Sequence, residues 1–169
     1  MSMSPDTPAS IDSPAPAEPT TPLVLRKPLE KSLHAGHPWL YRDALASTPT
    51  LADGTIVLIR GRDRRPIGRG FWDATAPIAV RMLTTTAGQS LHQIVHERVS
   101  KTLAERQAQL AGTDTTAFRW IHGEADCLPG IHVDLYDDVA AIRFDGAGAR
   151  AFYGGLPQPL PALLLAADA

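Results

Sequence analysis

The chain has one cysteine, Cys127, in 169 residues. A single thiol excludes an internal disulfide and any zinc site built from several cysteines, and it suits a reducing compartment. Long apolar runs are missing too. None approaches the roughly 20 residues of a membrane span, and the first 22 residues lack the apolar stretch of a secretory signal. A soluble, cytoplasmic protein with no membrane partner is therefore expected. Basic residues are absent from residues 1–22, where three acids lie among Pro, Ser, Thr and Ala. Such a segment has too little apolar surface to offset its ordering entropy, which predicts a disordered N-terminal tail.

The rest of the chain is richer. Hydrophobic residues make up 44%, enough for one ordinary domain or two small ones. The formal charge of −2 hides an asymmetry. Residues 23–86 carry ten Lys and Arg against five Asp and Glu, a net of +5, whereas residues 87–169 carry six against ten, a net of −4. A basic first half points to an anionic partner for that half, with nucleic acid the leading class.

Periodicity and turn residues then divide the chain. Leu23-Val24-Leu25 reads as a short strand, ended by Arg26-Lys27-Pro28. Glu30 to Ala35 reads as a short helix stopped by Gly36, and His37-Pro38 forbids its continuation. Arg26, Lys27, Lys31, His34 and His37 are placed to line one edge beside the anchor Trp39-Leu40-Tyr41. Three more short strands, Thr55–Arg60, Ile67–Trp72 and Ile78–Thr84, follow with turn residues between them, the pattern of a small closed barrel. Arg60, Arg62, Arg64, Arg65 and Arg69 lie on or beside one hairpin, more cations than solubility alone requires, and phosphate contact is their expected role.

One long helix is expected from Ser90 to about Ala111, with Leu91, Ile94, Val95, Val99, Leu103 and Leu110 on one face and Gly112 as its stop. Phe118–His122 is a strand. Leu128-Pro129-Gly130 is a turn, and Ile131–Tyr136 and Val139–Phe144 pair as a hairpin across Asp137-Asp138. His122-Gly-Glu124 matches the first part of a zinc-deaminase signature, but its second part, P-C-x-x-C, is absent. A metal site from Glu124, Asp126, His132 and Asp134 competes with the plainer reading of an exposed polar turn, and no metal is expected.

Three stretches together resemble a known family. They are Leu25-Arg-Lys-Pro-Leu-Glu-Lys-Ser-Leu-His-Ala-Gly-His-Pro-Trp-Leu-Tyr41, Ala79-Val-Arg-Met-Leu83, and Gly123-Glu-Ala-Asp-Cys-Leu-Pro-Gly-Ile-His-Val-Asp-Leu-Tyr136. Their order and spacing resemble the class I SAM-dependent large-subunit rRNA (cytosine-5) methyltransferases that begin with a PUA domain. The resemblance implies a mixed α/β chain: a PUA-like RNA-binding barrel at residues 23–86, the start of a central α/β domain at 87–153 comprising one long helix and a β-hairpin, and a linker with a truncated helix at 154–169.

The resemblance further implies a following Rossmann-like domain that supplies the SAM site and the attacking cysteine. The expectation is that this chain holds no cofactor and binds ribosomal RNA without methylating it alone, through Arg26, Lys27, Lys31, His37, Trp39, Arg60, Arg62, Arg64, Arg65 and Arg69. One base is expected to stack on Trp39, Tyr41 or Trp72. A stand-alone PUA-like RNA-binding or regulatory protein is the alternative. Cys127 departs from the family pattern, which carries Gly there, and Gly146-Ala-Gly148 is expected to open no helix.

Overall fold

A computed structural model describes residues 20–86 and 88–157. Strand alternation organises the first half around two apolar clusters. In β3 (Ile56–Arg60), Val57 and Ile59 enter one cluster while Ile56 packs against the other. In β4 (Pro66–Trp72) and β5 (Ile78–Thr84), Ile67, Trp72, Val80 and Met82 belong to the first cluster, and Phe71 and Leu83 to the second. With β1 (Thr21–Val24) and β2 (Trp39–Tyr41) these strands form a sheet in the order β1-β3-β4-β5-β2, parallel only between β1 and β3.

The closed barrel expected for this half takes a looser form. Strands β1 and β2 are the sheet's two edges, and only a bridge between Leu25 and Leu45 joins their continuations. Beside it, the Arg26 N–H donates to the Ala44 carbonyl at 2.7 Å and the Ala46 N–H to the Val24 carbonyl at 2.9 Å. The ladder is short because β2 shifts register between Leu40 and Tyr41 and then gives way to a 3-10 turn at Arg42–Ala44. Thr21 and Pro22, assigned to the tail on composition, are strand residues, and a proline is tolerated because β1 is an edge. The rest of the expected tail, residues 1–19, lies outside the described residues.

Helix α1 (Glu30–His34) ends where Gly36 takes a φ of +92°. Helix α2 (Leu91–Leu110) begins with Ser90 and Gln93 forming a reciprocal capping box, worth about 1 kcal/mol. It buries Leu91, Ile94, Val95, Val99 and Leu103. At about 2 kcal/mol per aliphatic side chain, that face contributes up to about 10 kcal/mol.

Strands β6 (Ala117–His122), β7 (Ile131–Tyr136) and β8 (Val139–Phe144) make a second, antiparallel sheet in that order. Asp137, at a φ of +56°, turns β7 into β8.

A third helix, α3 (Ala147–Gly154), runs where sequence reading placed none. Its opening Gly146-Ala-Gly148 resembles a loop because it carries small residues, and small residues are required there. A Cβ on Gly148 would lie 2.5 Å from the Trp72 carbonyl oxygen, and one on Gly146 would lie 2.6 Å from Asp73 Oδ2. The helix packs through Phe152, whose ring stacks on Phe71 at 4.6 Å between centroids and 10° between planes. Leu156, in the expected linker, is buried in the same cluster, while residues 158–169 lie outside the described residues. Phe71 and Leu83 thus share a core with Leu91, Trp120 and Phe152, so the compositional boundary at residue 86 is not a boundary in packing. Among the described residues no helix is long and apolar enough to cross a membrane.

Candidate nucleic-acid interface

The β3–β4 connection is a tight turn. The Gly61 N–H donates to the Arg65 carbonyl at 2.9 Å and the Arg64 N–H to the Gly61 carbonyl at 2.8 Å, with Arg64 at a φ of +66°. Arg60 braces it by donating to the Arg64 carbonyl at 2.9 Å. Arg62 reaches across to α1, where both its Nε at 3.2 Å and its backbone N–H at 3.1 Å donate to Glu30 Oε1. The N–H groups of Glu30 itself and of Arg62 hold the Glu30 carboxyl below its ordinary range. Arg65 pairs with Asp63 at 3.6 Å.

The loop before α1 joins this surface, because the Leu25 N–H donates to the Arg60 carbonyl at 2.9 Å. On that loop, Arg26 Nε donates to the Asp43 carbonyl oxygen at 3.1 Å. Lys27 donates to the Asp43 carboxylate at 2.5 Å and holds its pKa below the usual value. Lys31 and Arg64 are exposed and pair with no carboxylate among the described residues.

Arg26, Lys27, Lys31, Arg60, Arg62, Arg64 and Arg65 therefore come together around α1 and the hairpin turn. Their ion pairs lie at the surface, where exchange for a phosphate costs little. Arg69 is placed apart: it stands opposite Leu58 in the sheet and donates to the Gln89 carbonyl oxygen at the entrance to α2. His37 and Trp39 lie beyond the C-terminal end of α1, with ring centroids 6.2 Å apart in an edge arrangement.

Trp39 is neither a plain core residue nor a free platform. It faces Arg81 across the β2–β5 ladder, and both side chains donate to the same oxygen, Glu124 Oε1, each at 2.8 Å. Arg81, with its side chain only 9% exposed, also donates to the Asp145 carbonyl at 3.0 Å. This network was missed in sequence reading, although a cation inside the apolar run Ile78–Leu83 is the signal that would have found it, since a buried charge needs a partner. Of the two other aromatics proposed for stacking, Tyr41 is 47% exposed. Trp72 is 1% exposed, which removes it as a base platform; Arg42 covers its ring at 5.0 Å.

The acidic turn disperses its polar side chains. Glu124 goes to Trp39 and Arg81, Asp126 to Arg106 and the His122 N–H, His132 to Asp145, and Asp134 to Arg119. Among the described residues no cluster of His, Cys, Asp and Glu is set to hold a metal.

Gly146 and Gly148 offer no cradle for an adenosyl cofactor. Asp73 fills that position, its Oδ2 accepting the Gly148 N–H at 3.0 Å while Oδ1 accepts Ala76 N–H at 2.8 Å and Thr75 N–H at 3.1 Å. Burial acts to raise the Asp73 pKa, but these N–H donors outweigh it and hold the carboxyl below its ordinary range.

Cys127 closes the 3-10 turn Gly123–Asp126 in the left-handed conformation, φ +57° and ψ +24°. Glycine adopts that backbone most readily, which explains the departure noted at this position as a residue under modest strain. The Cys127 carbonyl accepts an Arg98 N–H from α2 at 2.6 Å.

Residues 23–85 match the model of the PUA-like domain. The chain is 34% identical over 130 residues to ribosomal RNA large subunit methyltransferase I of Alteromonas mediterranea, covering 76% of this chain and 33% of that protein. It is 30% identical over 122 residues to the protein of the same name from Pseudoalteromonas atlantica, covering 71% and 31%. Among solved structures, a Streptococcus mutans protein assigned as a SAM-dependent methyltransferase matches with a TM-score of 0.68 at 15% identity, covering 88% of this chain and 37% of that one. A second, assigned as a methyltransferase and complexed with SAH, matches equally. The chain spans about a third of the length of the curated relatives it matches. It thus contains a PUA-like domain and is homologous to ribosomal RNA large subunit methyltransferases.

Proposed function

We propose that this chain binds ribosomal RNA and positions it for methylation at a cytosine C5, its PUA-like unit making the first contact. The observation that carries this reading is the convergence of two segments. The loop at 26–27 and the hairpin at 60–65 are tied together through Leu25–Arg60 and Glu30–Arg62, and they gather seven cations on one surface of the unit that matches the PUA-like domain. Such a surface grips phosphates in register without reading sequence. The homology to rRNA methyltransferases supports RNA as the polyanion. Residues 23–86 act as the gripping unit, and α2, the second sheet and α3 brace it from behind.

In this reading methyl transfer is not assigned to the Gly146–Gly148 segment, because Asp73 accepts the Gly148 N–H and lies where a Cβ on Gly146 would point. SAM is the cofactor this reading assigns to the family's reaction.

Exchanging Lys31 and Arg64 together for serine tests the reading. Neither pairs with a carboxylate among the described residues, so the fold is expected to persist while affinity for a large-subunit rRNA fragment falls on the order of 10-fold and the salt dependence flattens by about two phosphates. Unchanged affinity in a folded variant would refute it.

A further inference from the structure

A cleft of about 230 Å³ opens at the other end of α1 from the arginine hairpin, between the α1–β2 turn, the end of β5, α2 and the Gly123–Asp126 turn. Its walls include His37, Thr85, Thr86, Arg98, Glu124 and Cys127.

The polar groups of the cleft are unevenly used. Both donors to Glu124, Trp39 Nε1 and the Arg81 guanidinium, fall on Oε1, and Oε2 accepts no hydrogen bond among the described residues. The carboxylate is thus held by two fixed donors with one acceptor oxygen to spare. Arg98 uses one N–H on the Cys127 carbonyl, and its guanidinium has five to offer. The exposed His37 ring, set edgewise to Trp39, adds an aromatic surface at the rim.

One anion and one cation in the same cleft select against a run of phosphates, which Glu124 would repel. A single nucleotide turned out of a strand satisfies both, with its phosphate on Arg98, a base-edge N–H on Glu124 Oε2, and the base face against His37. We infer that this cleft takes one unpaired nucleotide of a bound RNA. The inference rests on the RNA-binding reading and deepens it, because it separates a base-out subsite from the phosphate-gripping hairpin. The two surfaces are linked by α1, whose five residues span about 7.5 Å, so one strand passes from hairpin to cleft without a long detour.

Cys127 is the chain's one cysteine, is exposed, and lines the cleft, so its alkylation rate reports occupancy directly. The test uses the full chain with iodoacetamide, alone and saturated with a short single-stranded oligoribonucleotide or with the blunt duplex of the same sequence. Fluorescence anisotropy establishes saturation in each case. The expected result is alkylation slowed about 10-fold or more by the single strand and unchanged by the duplex. His37→Ala and, separately, Arg98→Gln are expected to weaken single-strand protection about 10-fold, with duplex affinity unaltered. Saturation by the single strand without protection, or equal protection by the duplex, overturns the subsite and leaves the RNA reading intact. Failure to bind either RNA overturns both.

Discussion

Arg81 and Glu124 form a largely buried ion pair, 2.8 Å between guanidinium and carboxylate, that ties the interior strand β5 of the PUA-like unit to the acidic turn behind it. Trp39 shares the same carboxylate oxygen, so one side chain of the turn anchors two neighbouring strands of the first sheet. The polar seam lies beside the apolar contact of Phe71 with Phe152, and together they lock the two sheets into one body.

Glu124→Ala removes the acceptor and leaves Arg81 charged, buried and facing only the Asp145 carbonyl. The expected cost is about 3 kcal/mol in unfolding free energy, measured by chemical denaturation. Tryptophan emission should also shift to the red in the folded variant, as Trp39 loses its partner. A loss below about 0.5 kcal/mol would show that the seam is decorative.

Asp73 gives a pH dependence with a definite sign. Its folded pKa lies below the ordinary value of 3.8, so its contribution to stability is complete above that pH and is lost as pH falls through the lower folded value. Unfolding titrations from pH 6 down to about pH 2 should therefore show an acid-side loss that is smaller in Asp73→Asn than in the parent. Asp73→Ala, which leaves the N–H groups of Ala76, Thr75 and Gly148 without their acceptor, should cost about 3 kcal/mol at neutral pH. A parent and Asn variant with parallel acid limbs would contradict this assignment.

Cys127→Gly is expected to stabilise. The left-handed backbone at φ +57° strains any residue with a Cβ, and its relief exceeds the extra chain entropy of glycine by about 0.5–1 kcal/mol. For a chain of this size that raises the thermal midpoint by about 1–4 °C. A lowered midpoint would mean that the thiol makes packing contacts worth more than the strain.

Much of this was legible in the sequence. The strands β3, β4, β5, β7 and β8 and the long helix α2 announce themselves through alternation, turn residues and a helical apolar face, and the sequence shows the cations at 26–31 and at 60–65 as two groups without showing that they meet. What was illegible depends on contacts distant in sequence. The Trp39–Glu124 bond spans 85 residues and the Gly148–Asp73 bond 75. Helix α3 was hidden because its first residues are chosen to fit against Trp72 and Asp73, not to signal a helix. Trp72 read as a surface aromatic because the register shift between Arg69 and Gly70, which sets its face, leaves no local mark.

The salt dependence of binding to large-subunit rRNA fragments tests the central claim most directly. If the excess of five positive charges in residues 23–86 neutralises about five phosphates, affinity should fall about 500-fold between about 50 and 200 mM monovalent salt, and the Lys31/Arg64 double serine variant should show a shallower slope. Binding that is insensitive to salt, or a variant slope equal to that of the parent, would contradict the account.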